Sequence, residues 1–168
     1  MVVPWHDPVV DSIGHDVRST YVELFWLNVL GPTATWALRR LATGLDRFPL
    51  GYELDLAETA SALGLSYSPG TSNTFTRALQ RCVLFGASQP VPDGLAVRRR
   101  LPPVAERHLA RMPPHLRDAM PVDERGRVDR PPPELRAEIF DEFVRALEPL
   151  RETGKLGGIL FQLPPYLE

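Results

Sequence analysis

Apolar residues recur at helical spacing over several stretches of the first 112 positions and alternate over two short ones. Tyr21 to Leu30 is apolar on nearly every side. Thr20 and Glu23 stand at capping-box spacing before it and Gly31-Pro32 closes it, which predicts a buried helix. A second helix is predicted from Pro32 and Thr33, with Trp36, Leu38, Leu41 and Leu45 inward, Arg39, Arg40 and Asp46 outward, and Pro49 as its stop. Tyr52 to Leu56 alternates as a half-buried strand does. Asp55 and Glu58 then predict a capped helix over Leu56 to Leu65, with Leu56, Ala60 and Leu63 on one face and Gly64 at the left-handed cap. Ser72 predicts the cap of a further helix, running to Gly86 and burying Phe75, Leu79, Cys82 or Val83, and Phe85. Ser88 to Leu101 reads as a hairpin turning at Pro92-Asp93-Gly94, with Leu95 to Leu101 as the returning strand. Val104 to Met112 reads as a closing helix.

This order predicts a mainly α fold with a small β-hairpin, a winged helix-turn-helix over residues 18–112. Before it, residues 1–17 hold Pro4, Pro8 and Gly14 with no helical or strand period and read as a flexible arm. After it, Pro113-Pro114 and Pro131-Pro132-Pro133 bracket a polar stretch that reads as a Pro-rich linker over 113–133. Residues 134–168 read as a helix, with Leu135, Ile139, Phe140, Phe143, Val144 and Leu147 at helical spacing, feeding an apolar strand from Leu156 to Leu163.

The chain of 168 residues has a formal net charge of -2, so global charge alone does not favour nucleic acid. The distribution is uneven. Residues 1–70 carry four Arg against eight acids, residues 71–111 seven Arg against Asp93 and Glu106, and residues 112–168 eight bases against eleven acids. The only basic zone is therefore the helix with its hairpin. Lys155 is the single Lys among nineteen bases, a composition expected of GC-rich coding, so the clustering of Arg carries more weight than its number. The lone Cys82, a start without signal-peptide character and a longest apolar run of only Leu24 to Leu30 predict a soluble cytoplasmic protein.

Within the basic zone, Asn73, Thr74, Arg77, Gln80 and Arg81 share one helix stripe. Arg forks to guanine, Asn and Gln pair with adenine, and Thr meets phosphate or the thymine methyl. Arg98, Arg99 and Arg100 on the hairpin add phosphate-binding charge. Together they predict binding of double-stranded DNA and a role in transcriptional regulation, with Tyr21 to Leu30 as the seam of a homodimer. A non-catalytic docking or dimerisation module is the alternative. No cofactor, metal site or enzyme is predicted: paired carboxylates in a site, nucleophile motifs and phosphate-cradling glycine loops are missing from the sequence, and His6-Asp7 and His15-Asp16 lack ligand spacing. Cys82 reads as an inert core thiol, His108 and His115 as surface residues, and Phe25, Trp26 and Trp36 as core or dimer seam.

Two resemblances add to these readings. The combination "VELFWL", "LGPTATW", "LAETASALGL" and "LAVRRRLPP" within residues 17–112 resembles a family of short uncharacterised bacterial proteins, which implies a winged-helix-like fold and no particular activity. Residues 113–168, above all "ALEPLRETGKLGGILFQLPP", resemble an internal piece of the TIM-barrel family listed as domain of unknown function number 72. A complete barrel of that kind needs about 250 residues, so the resemblance implies an incomplete α/β-barrel-like helix–strand segment. It gives no catalytic role to Gln162 or any other residue. A gene fusion or truncated frame is the expected origin, with a tail that either docks its apolar face or stays poorly ordered.

Overall fold

A computed structural model describes residues 1–70, 72–121 and Arg145. The chain divides into two units, Met1–Asp129 and Arg130–Glu168. The predicted linker beyond Pro121 and, apart from Arg145, the tail expected to resemble a barrel fragment lie outside the described residues. No helix among the described residues is long and apolar enough to cross a membrane.

The first unit is mainly helical with small mixed sheets. Its elements are β1 (Val2–Pro4), α1 (Pro8–Ile13), β2 (His15–Asp16), a π-helical turn (Val22–Trp26) running into α2 (Leu27–Leu30), α3 (Pro32–Arg47) and α4 (Leu56–Ser61). They continue with α5 (Thr74–Leu84), β3 (Ser88–Val91), β4 (Gly94–Val97), β5 (Arg100–Leu101), α6 (Glu106–Leu109) and α7 (Pro114–Asp118).

The amphipathic pattern explains the core. α3 buries Ala34, Ala37, Leu38, Leu41 and Leu45 against Phe75, Ala78 and Cys82 of α5. The π-helical turn and α2 add Val22, Phe25, Trp26, Val29 and Leu30 to the same core. At the predicted caps, Asp55 accepts from the Glu58 N–H at 2.8 Å, and Gly64 takes φ +70°, where a Cβ would be strained. α5 starts one residue later than predicted. Asn73, not Ser72, accepts from the Thr76 N–H at 3.0 Å while the Thr76 hydroxyl accepts from the Asn73 N–H, a reciprocal box that satisfies two donors. Ser19 likewise replaces Thr20 at the entry to the first core helix, its hydroxyl accepting from the Val22 N–H at 3.3 Å.

The expected flexible arm is ordered. β1 lies parallel to β4, with Val2 opposite Leu95 and Pro4 opposite Val97, and β4 pairs antiparallel with β3, giving the sheet order β1-β4-β3. β2 pairs antiparallel with β5. Hydrogen bonds to distant strands fix this segment, and Val2 and Val17 are fully enclosed, so the absence of a local period did not mean absence of structure. Tyr52 keeps only a single antiparallel bridge to Val2 instead of the predicted strand from 52 to 56. The returning strand of the hairpin is also shorter than expected: it ends at Val97, and Arg100–Leu101 turns away to join β2. At the far end, Leu116 and the enclosed Met120 pack on the core, so the first unit continues past the expected boundary at Pro113.

Candidate functional site

Helix α5 sits on α3 with one stripe turned to solvent. Thr74, Arg77 and Gln80 are exposed on it, and no hydrogen bond or ion pair among the described residues engages their side chains. Leu84 continues the stripe four residues after Gln80 and is 76% exposed, an outlay of apolar surface that sequence reasoning missed. Its position seven residues after Arg77 was the available signal, since that spacing returns to the same helix face.

Two other predicted contacts have structural duties. Asn73 spends its side-chain oxygen on the α5 cap. Arg81 directs Nε and Nη2 at the Val29 carbonyl, at 3.2 and 2.7 Å, and so ties α5 to α2. A guanidinium has five donors, so Arg81 keeps capacity for a further acceptor. Together with Thr74 and Arg77 it borders a shallow cleft of about 310 Å³ at the start of α3, formed by Gly31, Pro32 and Thr33. The first-turn N–H groups of Thr33 and Ala34 have no intrahelical acceptor, and they carry the positive end of a 16-residue helix.

The three consecutive hairpin arginines part company. Arg98 is buried at 9% exposure: its Nε donates to the Gly86 carbonyl at 2.9 Å, its Nη2 to Asp7 at 2.7 Å, and its guanidinium lies over the Trp5 ring. The Arg100 Nε donates to the Gly14 carbonyl at 2.8 Å. Arg99 is half-exposed and reaches Asp46 at 3.5 Å, beside the Arg18–Asp16 and Arg18–Asp46 ion pairs. The N-terminal segment therefore supplies acceptors for much of this basic cluster, and the turn of the hairpin itself presents Pro92 and Asp93. The expected phosphate-binding role of all three arginines rests on local sequence, in which Trp5 and Asp7, arriving from the other end of the chain, are not visible.

The anticipated dimer seam is consumed internally. Tyr21, Val22, Phe25, Trp26, Val29 and Leu30 are buried within the unit, leaving Glu23, Leu24 and Asn28 facing out. Trp36 behaves oppositely to expectation: it is 58% exposed, with the Arg39 guanidinium 5.2 Å from its ring centre, because the neighbouring Thr35 turns inward on α3. Cys82 is fully buried as predicted, and burial pushes its thiol up to about 12. His108 is only partly exposed. Burial, with the charges of Arg107 and Arg111, holds its imidazole below the ordinary range. No group of His, Cys, Asp and Glu suited to a metal ion occurs among the described residues.

No family model, curated protein or solved structure matches the chain.

Proposed function

We propose that the chain binds double-stranded DNA as a winged helix-turn-helix protein and regulates transcription, with α5 as the helix that enters the major groove. The observation that carries this reading is the unengaged stripe Thr74, Arg77 and Gln80 standing next to the open N-terminus of α3. Arg77 and Gln80 supply the two side-chain types that read guanine and adenine bidentately, and Leu84 offers an apolar contact for a thymine methyl. A backbone phosphate in the neighbouring cleft would meet the Thr33 and Ala34 N–H groups and Arg81, which fixes register without reading sequence. The order α3, bridge, α4, α5, hairpin agrees with that docking mode. In this reading Arg98 and Arg100 position the hairpin and contact no DNA.

Amide NMR of the full chain tests the assignment. Titration with a mixed-sequence duplex is expected to shift the amides of Gly31, Thr33, Ala34 and residues 72–84 and to leave those of 98–101 in place. Perturbation confined to the hairpin, or none at low salt, would overturn it.

A non-catalytic docking role is the second reading, favoured by one feature. An apolar cleft of about 370 Å³ lies between α5 and the sheet, bounded by Leu54, Leu56, Leu79, Val83, Pro90 and Leu95. This cleft shares Gln80 with the exposed stripe but is not lined by Thr74 or Arg77, so the amides of those two residues separate the two readings in the same titration.

A further inference from the structure

Three basic side chains meet over an apolar floor where α2, the end of α5 and the α6 region come together. The cleft holds about 260 Å³, with Arg81, His108 and Arg111 around Val29, Phe85 and Met112. The Arg81 guanidinium stands 5.0 Å from the centre of the Phe85 ring, and His108 meets the same ring edge-on at 5.6 Å. Among the described residues no carboxylate lines it, and Asn28 completes the rim. By contrast, the larger polar cleft beside Trp5 sets Arg18, Arg99 and Arg100 against Asp11, Asp16 and Asp46. Here the charge is left over, and the Arg111 side chain makes no hydrogen bond or ion pair among the described residues.

We propose that this cleft binds a phosphate monoester carried on a flat apolar body. Arg111 and the remaining donors of Arg81 would fork to the phosphate oxygens, the geometry for which guanidinium is suited. Phe85, Val29 and Met112 would cover the apolar body. A water's share of liquid volume is about 30 Å³, so the cleft accommodates a group several times larger than the phosphate's own hydration water. His108 reports on the site from its edge. Its Nε2 accepts from the Arg107 Nε at 3.4 Å, and Arg107 and Arg111 hold its imidazole below the ordinary range after burial has done so first. Arg77 and Arg81 from α5 and Glu106 from α6 are the other charged groups of these elements. An anion seated between Arg81 and Arg111 reverses the local field and moves the His108 pKa upward. The site goes beyond the DNA reading: it shares Arg81 with the cleft at the α3 N-terminus, but its other lining residues are different.

The test is a pH titration of the His108 ring protons in the full chain at fixed ionic strength, with the signal identified by its loss in His108→Gln. It is run alone and with inorganic phosphate, phenyl phosphate or a mixed-sequence duplex. Phenyl phosphate is expected to raise the His108 pKa and to bind more tightly than inorganic phosphate. Arg111→Gln, at an exposed position, is expected to weaken phenyl phosphate about tenfold, the loss of one charge-assisted hydrogen bond, while Arg117→Gln on α7 leaves it unchanged. An unmoved His108 with both small anions overturns the site, as does an Arg111→Gln variant that binds normally. Equal affinity for the two phosphates overturns the apolar component. A shift caused by the duplex alone places a backbone phosphate there and overturns the small-ligand assignment.

Discussion

The Arg98 guanidinium lies 3.7 Å from the centre of the Trp5 ring, and the same side chain donates to Gly86 and to Asp7. One residue thus joins the N-terminal segment, with Asp7 lying 91 positions before it in sequence, to the turn after α5. Arg98→Ala leaves the Gly86 carbonyl and the part-buried Asp7 carboxylate without that partner, and urea unfolding is expected to show a loss of about 2 to 3 kcal/mol. Arg98→Lys retains charge but loses the fork and the flat stack, so it recovers only part. A loss below about 0.5 kcal/mol, the range of ordinary surface substitutions, would contradict the clamp.

Acid weakens the same clamp. Burial pushes the Asp7 carboxyl up, but hydrogen bonds from Arg98 and from the Val10 and Val9 N–H groups, with the Arg98 charge, outweigh it and hold the pKa below the usual value. A carboxylate depressed in the folded state contributes stability that is present above its unfolded pKa and lost as pH falls through the folded one. Asp7→Asn is therefore expected to flatten the fall of stability below about pH 4, the usual range of Asp titration, and to cost stability at pH 7. An unchanged acid limb in that variant would remove Asp7 from the account.

Gly44 is required by Tyr52. A Cβ at Gly44 would run into the Tyr52 ring, whose hydroxyl donates to the Leu41 carbonyl at 3.0 Å. In an open helix Gly→Ala stabilises by about 1 kcal/mol. Here Gly44→Ala is expected to destabilise by about 1 to 3 kcal/mol through overpacking, and Tyr52→Phe by about 1 kcal/mol through the lost hydrogen bond. Thermal unfolding of the two variants checks both signs, and a stabilised Gly44→Ala would refute the packing.

Cys82 is expected to resist thiol reagents in the folded protein at pH 8. Its thiol, pushed up to about 12, is fully buried and stays protonated there. Labelling should follow global unfolding and accelerate in urea in step with loss of structure. Rapid labelling without denaturant would show that the α3–α5 core opens locally.

The parts of this fold that were legible in the sequence are those encoded locally. The period of α3 from Leu38 to Leu45, the Asp55 cap, Gly64 and the turn at Pro92-Asp93 each depend on neighbours within a few residues, and each stands where the pattern placed it. β1 was illegible because three residues give too little alternation to read, and its partner β4 is about ninety positions away. Trp36 was assigned inward on hydrophobicity, whereas the α3 face is set by the close approach of α5, which favours the small Ala34 and Ala37. At the candidate site, sequence alone could identify side chains of the right chemistry on α5. It could not separate Arg77, which stays open, from Arg81 and Arg98, because their acceptors are carbonyls and a carboxylate brought in by tertiary structure.

The most direct test of the central claim is fluorescence anisotropy of the full chain on a mixed-sequence duplex across a salt series, comparing Arg77→Ala with Arg99→Ala. The α5 reading predicts affinity that falls steeply with salt, is weakened about tenfold or more by Arg77→Ala, and changes less than about twofold with Arg99→Ala. Binding that ignores Arg77 but depends on Arg99, or no binding at low salt, would contradict it.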